Sequence, residues 1–562
     1  MRRNTAKIFF LVCVLLQGTN PIKASQALQT KFEKGTEIFH SEKSNLNSSA
    51  PVMSHWLVKA TQTGKELVKI AKVNLKEDNI KSSKRLLAGR LSNLDAPPNL
   101  SLPQKPYEVR NQELYPLKIT DLNQLIEANS PTLEIYRRQI EQQKFNLKKS
   151  ISAWYPTIDL SATPQHLEAE NYNDESSDTT SEQWKTTLSI EINWSLIDPA
   201  RAPEIAAAKD TYEKAKTAYL IQLRDLQLEA ISAYLLLQKS DEGVRIGKES
   251  VKASQVSLKD AKARFEAGLG TRLEVLEAET QLARDNRLLT KNLGDQSINR
   301  SSLSKILNLP PQITPVASTP PQIIGVWSAS LEESIVSAYK LREELENIRL
   351  EISINNSNAN AALASAQPKL SIFNTFSNSY TDGKLASIDN DGSSTTNTVG
   401  LKATWRIFDG NNARNGYYYN KEIAKVSMAK FADQRNTIRQ EVEKDFIQLR
   451  TANQDIASST REVIAARESL RLARLRFQAG VTTQREVVNN QRDLTQAEVG
   501  YSEAITAYNT SMARLNRRTG INHIQACNSP KLISNKDREA DPETLPIEPF
   551  PVIKACPNLP IR

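Results

Sequence analysis

The chain has 562 residues, 39% hydrophobic and 24% charged, with only 18 glycines and a net charge of +9. That length accommodates three or four domains, but sparse glycine, sparse aromatics and long Ala/Leu/Glu/Lys/Arg/Gln stretches are the composition of long helices, not of a multi-domain α/β enzyme. No apolar run reaches the ~18–20 residues of a membrane-spanning helix, which excludes a helical-bundle membrane protein, and a modest, spread positive charge argues against nucleic acid as a partner.

At the N-terminus, Met1-Arg2-Arg3 to Lys7 is a positive segment, Ile8 to Leu16 is apolar, and small residues follow at Ala24, Ser25 and Ala27. This is the pattern of a cleavable secretory signal over residues 1–24. Cys13 lies inside its apolar part, so a lipid anchor on that cysteine is not expected. Residues 25–115 follow as a basic extension with a Pro-rich linker, 14 basic against 9 acidic side chains between Ser25 and Tyr115.

Proline then divides the chain. Residues 116–309 form a first repeat, 310–325 a Pro-rich linker, 326–520 a second repeat and 521–562 a Pro-rich tail. In the first repeat Ile158, Leu160 and Ala162 alternate with Asp159, Ser161 and Thr163, the pattern of a strand with one apolar face. A second strand follows from Trp184 to Leu196, with Leu188, Ile190, Ile192 and Trp194 on the same face as Trp184. Between them Glu168–Ser181, rich in Asn, Asp, Ser and Thr, is expected to be a solvent loop. After a corner capped by Asp198 a helix is expected from Ala200 to about Phe265, on the order of 100 Å long. It turns at Gly268-Leu269-Gly270 and returns along Thr271 to Leu307.

The second repeat copies this order. Trp194-Ser-Leu-Ile-Asp198 matches Trp405-Arg-Ile-Phe-Asp409, and Arg264-Phe-Glu-Ala-Gly268 matches Arg476-Phe-Gln-Ala-Gly480, at a displacement of 211–212 residues. Leu370 to Tyr380 and Val399 to Ile407 alternate as strands, with Thr381–Thr395 as their polar loop. The outgoing helices carry one heptad seam: Val244, Gly247, Val251, Ser254, Leu258, Ala261 and Phe265 are repeated position for position by Ile456, Ser459, Val463, Ala466, Leu470, Ala473 and Phe477. Small residues at alternate seam positions allow close helix packing. Val487, Leu494, Tyr501, Tyr508 and Leu515 keep the period on the second return.

Trp184 and Trp194 are ten residues apart on one strand face. With ~3.3 Å per residue and a tilt near 40° they stand roughly 25 Å apart along a membrane normal, the height of the apolar band between the aromatic girdles of an outer-membrane barrel. Four strands cannot close a barrel, and an open edge in lipid leaves unpaired backbone groups, so such a chain must oligomerise. Two copies give eight strands and no room for a channel; three give twelve and a lumen.

The duplicated order of short helix, two strands and long helical hairpin resembles the outer-membrane efflux protein family, the TolC-like exit ducts. The resemblance spans roughly Leu117 to Gly520 and rests on Tyr155-Pro156 and Gln367-Pro368 before the first strands, on the corners at Asp198-Pro199 and Asp409-Gly410, and on the two tips. It implies a mainly α fold with membrane β: duplicated helical hairpins forming a coiled-coil barrel, and four strands per chain in a trimeric twelve-stranded outer-membrane barrel. It further implies a homotrimer in outer-membrane lipid, its helical portion in the periplasm, working with a periplasmic adaptor and an inner-membrane pump of RND or ABC type, for efflux or type I secretion. Trp184, Trp194 and Trp405 would form the aromatic belt. The tips, with Arg264, Phe265, Gly268, Arg476, Phe477 and Gly480, would meet the adaptor. The family's acidic entrance positions fall on Glu486 and Asn489, and their first-copy counterparts are Glu274 and Glu277; ordinary solvated helix positions are the alternative for all three carboxylates.

No catalytic constellation, cofactor fingerprint or metal-ligand spacing is present; His40, His55, His166 and His523 are scattered. Cys527 and Cys556 in the tail leave two readings, a disulfide in an oxidising compartment or two free thiols. The functional reading is a passive exit duct, not an enzyme. The competing reading is a soluble periplasmic coiled-coil adaptor or scaffold, in which the Trp184/Trp194 face touches protein instead of lipid.

Overall fold

The structure, a computed structural model, describes residues 91, 94–97, 100, 102–110, 113–173, 176–385, 388–520 and 524–525. The signal segment and the Cys527 and Cys556 pair lie outside the described residues. The first copy comprises β1 (Glu113–Leu117), α1 (Leu122–Asn129), α2 (Pro131–Ser152), β2 (Thr157–Asn173), β3 (Ser176–Ile197), α3 (Arg201–Glu266), α4 (Arg272–Leu307) and β4 (Ile313–Ala317). The second comprises β5 (Val326–Trp327), α5 (Leu331–Leu341), α6 (Glu343–Ala364), β6 (Lys369–Leu385), β7 (Ile388–Asp389), β8 (Gly392–Thr404), α7 (Asn412–Gln478), α8 (Gln484–Thr519) and β9 (Ile524–Gln525). Among the described residues no helix is long and apolar enough to cross a membrane.

The four long strands make one antiparallel sheet in the order β2-β3-β6-β8, so β3 and β6 join the two copies at its centre. Within the described chain β2 pairs only with β3 and β8 only with β6, which leaves both outer edges unpaired. Register merges four separately legible apolar stripes into one face. Ile190 stands opposite Leu160 on β2 and Phe376 on β6, and Ile372 stands between Trp194 and Leu401. Leu160, Trp184, Val399 and Leu401 on that face are all at least 60% exposed.

Two expectations are corrected here. The stretches Glu168–Ser181 and Thr381–Thr395 are mostly strand, since β2 runs to Asn173, β3 starts at Ser176, β6 runs to Leu385 and β8 starts at Gly392. Ladder bonds use only the backbone, so a run of polar side chains does not by itself end a strand. Conversely β8 stops at Thr404, and Trp405 and Ile407 lie just past it, exposed.

The helices begin and end where periodicity and caps place them. The Asp198 carboxylate accepts from the Ala200 backbone N–H at 3.1 Å, and that of Asp409 from the Ala413 N–H at 2.7 Å, closing both strand-to-helix corners. In the first seam Val244, Gly247, Val251, Ser254 and Ala261 are buried; in the second, Ile456, Ser459, Leu470 and Ala473 are. Gly247 shows why small residues sit there: a Cβ on it would lie 3.2 Å from the Leu289 Cα. Ser254 and Gln281 bond the buried Asp285 carboxylate, so the polar seam position is satisfied.

Two apolar cores lie in the middle of the helices, one around Leu125, Tyr234, Leu237 and Leu303, the other around Ile438, Tyr508, Met512 and Leu515. Beside the second, α6 is wedged between α3 and α7 by charge. Arg342 binds Glu344 at 2.8 Å and Glu441 at 2.6 Å, and Arg517, from the end of α8, binds Glu344 and Asp225 of α3, each at 2.7 Å. Burial alone pushes the Glu344 carboxyl up, but the Arg342 and Arg517 guanidiniums outweigh it and hold it at about 2. Further along α6, the hydrogen bond from Lys214, helped by Ser427 and Lys430, holds Glu351 at about 2. Burial pushes Asp445 up, against the nearby Arg518 and Arg514 charges.

Glu344 therefore stabilises the fold fully above its ordinary value of 4.5, and that contribution is lost as pH falls through about 2. In denaturant unfolding of the detergent-solubilised protein, Glu344→Gln is expected to cost about 3 kcal/mol at pH 7. The gap to the parent protein should narrow at pH 3; a gap that is unchanged or wider there contradicts the assignment.

Candidate functional site at the hairpin tips

Both hairpins turn in the same way. In the first, the Gly268 N–H donates to the Phe265 carbonyl at 3.0 Å and the Leu269 N–H to the Arg264 carbonyl at 2.8 Å. In the second, Gly480 donates to Phe477 at 3.0 Å and Val481 to Arg476 at 2.9 Å. This paired closure requires a left-handed residue after the cap, and Gly268 and Gly480 supply it at φ 71° and 76°. Just behind the turns, Ala261, Val275 and Ala278 pack in one hairpin, and Leu470, Ala473 and Val487 in the other.

The equivalent carboxylates Glu274 and Glu486 have diverged in use. Glu274 completes a capping box: its carboxylate accepts from the Thr271 N–H at 3.2 Å, while its own N–H donates to the Thr271 hydroxyl at 3.3 Å. The equivalent Thr483 makes no side-chain cap. Glu486 instead takes the Arg476 guanidinium at 2.8 Å and the Thr482 hydroxyl. Glu277 is held by Arg485 across the two copies, a bond that in turn raises the Arg485 pKa. Phe265 is exposed, and Phe477 is half-buried beneath the Arg264 guanidinium, 4.6 Å from its ring centre.

The structure thus brings the expected tip residues together and adds partners that single-chain periodicity does not reveal. Gln484 bonds Ser257, the Ser250 and Thr495 hydroxyls meet at 3.3 Å, and Lys239 binds Glu503 at 2.8 Å, all between α3 and α8. Arg485 stands next to Glu486 in sequence, but its partner lies 208 residues away, brought to it by the packing of the second hairpin against the first. Between the two hairpins runs a cleft of about 740 Å³, lined by Asp260, Arg264, Arg474, Phe477, Gln484 and Gln491 among others. Burial lowers the Arg474 pKa there, and its guanidinium bonds Gln491 at 2.8 Å.

At the far end, Trp194 and Trp405 stand where the strands meet the helices, and Trp184 lies ten residues up β3 from Trp194. The Trp194 indole donates to the Trp154 carbonyl at 3.0 Å, and Arg201 lies 4.3 Å over the Trp154 ring, its pKa lowered by burial. The Trp184 and His166 rings meet at a tilt of 55°, their centres 4.6 Å apart.

Comparison with known proteins identifies this architecture. Residues 122–309 and 335–520 match the model of the outer membrane efflux protein family. The chain is 30% identical over 195 residues to the outer membrane efflux protein BepC of Brucella suis biovar 1, covering 33% of this chain and 38% of that one. It is 24% identical over 226 residues to the protein CyaE of Bordetella pertussis, covering 40% and 46%. These alignments span less than half the length of either relative. The fold matches the Campylobacter jejuni CmeC outer membrane channel with a TM-score of 0.61 at 14% identity, over 76% of this chain and 94% of that one. With both repeats matched in order, the chain belongs to the outer membrane efflux protein family.

Proposed function

We propose that this protein is the outer-membrane exit duct of a tripartite efflux or type I secretion system. The observation that carries the reading is the sheet: four long strands, one largely apolar face with exposed Leu160, Trp184, Val399 and Leu401, and two edges unpaired within the described residues. Each unpaired backbone group in lipid costs several kcal/mol, and pairing β8 of one copy with β2 of the next removes every edge when the ring closes. Three copies give twelve strands, wide enough for a lumen. The polar alternate positions, such as Ser161, Ser189 and Thr375, then line water.

Below the sheet the hairpins continue as a helical tunnel across the periplasm, and their tips meet a periplasmic adaptor that couples the duct to an inner-membrane pump of RND or ABC type. The duct is passive. The residues at its ends, Trp184, Trp194 and Trp405 in the belt and Arg264, Phe265, Gly268, Arg476, Phe477 and Gly480 at the tips, have anchoring and docking roles. Glu274 is committed to its cap, whereas Glu277 and Glu486 each hold an arginine, Arg485 and Arg476. Glu486, at the entrance position that the family resemblance marks, is the one assigned to ion selectivity.

The mature chain extracted from outer membranes is expected to run as a heat-sensitive trimer and to give small, cation-selective openings in a planar bilayer. A soluble monomer or dimer that neither partitions into membrane nor conducts would leave the adaptor or scaffold reading in its place. In the conducting trimer, Glu486→Gln should shift the reversal potential under a KCl gradient toward anions, while Glu274→Gln leaves it unchanged; an equal shift in both would remove the special role of Glu486.

A further inference from the structure

The two copies of the β-hairpin share one register. Adding 212 to a β2 residue and 211 to a β3 residue turns the pair Thr157–Asn193 into Lys369–Thr404 and Ile158–Ile192 into Leu370–Ala403, and both are pairs of β6 with β8. The same two shifts convert the join between the copies, β3 on β6, into the join that closes a ring, β8 on β2 of the next protomer.

Strand length points to the same edge. Past Asn193, opposite Thr157 at the start of β2, the strand β3 is held only by β6, which pairs it as far as Ile197 opposite Leu370, with a register shift between Ser195 and Ile197. In the equivalent place β8 stops at Thr404, opposite Lys369 at the start of β6, and within the described residues it has no strand on its other side. Trp405, Ile407 and Phe408 are consequently 64%, 83% and 82% exposed.

We propose that β8 meets β2 of the next protomer in the register of β3 on β6, and that this pairing extends β8 through Phe408. The proposal rests on the trimeric duct reading above and adds its register. The conversion sets Thr404 opposite Ser161 of the partner subunit, Trp405 opposite Leu160 of the partner subunit and Phe408 opposite Ile158 of the partner subunit. On the polar face it sets Arg406 opposite Asp159 of the partner subunit, where the join inside the chain has two serines, Ser195 and Ser371. Arg406 and Asp159 are both exposed, and neither makes an ion pair within the described residues. Opposite charges directly across a ladder stabilise it. A slip of one residue would bring the apolar face of one strand beside the polar face of the next. A slip of two keeps the faces but sets Arg406 opposite Thr157 or Ser161 of the partner subunit, so the ion pair distinguishes this register from its neighbours.

Pro164 tells which pairs exchange ladder bonds. It has no N–H, so its pair with Thr186 is a non-hydrogen-bonded one, and the even residues of β2 turn their backbone groups to the open edge. The odd residues, Ser161 among them, then occupy non-hydrogen-bonded positions of the proposed seam, about 4.5 Å from the Cα opposite, within disulfide reach. Pro164 falls opposite Leu401 across the seam and costs it one ladder bond.

The test uses the full chain with Cys527→Ser and Cys556→Ser as background. Thr404→Cys is combined with Ser161→Cys or, for the registers two residues away, with Asp159→Cys or Thr163→Cys. After mild oxidation of outer membranes, denaturing gels are expected to show about tenfold more covalent trimer with Ser161→Cys than with either alternative, lost on adding reductant. Arg406→Asp and Asp159→Arg should each lower the temperature at which the trimer dissociates, and the two together should restore it. Arg406 lies past the end of β8 in the single chain, so this rescue tests the extension of the strand as well. Preferred cross-linking through Asp159→Cys or Thr163→Cys, absence of any cross-link in a conducting trimer, or failure of the charge exchange to rescue overturns the inference while leaving the duct intact. A chain that forms no trimer even without the new cysteines overturns the duct reading and this inference together.

Discussion

An antiparallel sheet with an apolar outer face and two bare edges cannot remain alone in lipid. The constraint is electrostatic as much as hydrophobic: the apolar face is content in hydrocarbon, but a row of N–H and C=O groups along β2 and another along β8 are not. In the proposed duct, everything below the sheet follows from satisfying those two rows with identical copies. Once the strands are arranged round an axis, the helices that follow them are too, and a chain that supplies two hairpins per protomer must pack each against neighbours on both sides.

Those packings are solved with small and polar residues. Ser254, Gly247 and Ala261 keep the helices close, and the buried polar atoms they bring are satisfied by Asp285, Gln281 and backbone carbonyls. Beside the second apolar core, charge joins apolar packing as the adhesive. Arg342 and Arg517 are almost fully buried, and each is shared between carboxylates from different elements. Such a network adds little net stability over a hydrophobic equivalent, but it tolerates only one arrangement, because any slip leaves a buried charge without its partner. It fixes α6 against both long helices and so ties the second copy to the first.

Much of this was legible in the sequence, for reasons that differ by element. The long helices of the first hairpin were read to within a residue, because a seam of seven-residue period and clear breaks, at Asp198-Pro199, at the Gly268–Thr271 turn and at Asn308, leave little freedom. The apolar halves of the strands were equally clear. Their polar extensions were not, because a strand with polar residues at successive positions has no alternation to detect, and Trp405 and Ile407 kept the alternation for a few residues after the ladder had ended. At the tips the sequence identified the turn and its charged residues but not their use. Glu274 and Glu486 occupy equivalent positions in copies that both carry the threonine (Thr271, Thr483) and the arginine (Arg264, Arg476), and only which of these each carboxylate bonds separates them. The Arg342–Glu344–Arg517 cluster left no sequence signal, since Arg517 lies 173 residues from Glu344.

The position of that cluster gives the long helices mechanical leverage. From Asp225 to the end of α3 is about 40 residues, or roughly 60 Å of rigid rod. A swing of only about 5° at the clamp moves the far end by about 5 Å, yet displaces side chains within the clamp by well under an ångström. An aperture built on such arms can change width substantially while the buried charges at the pivot keep every partner they have.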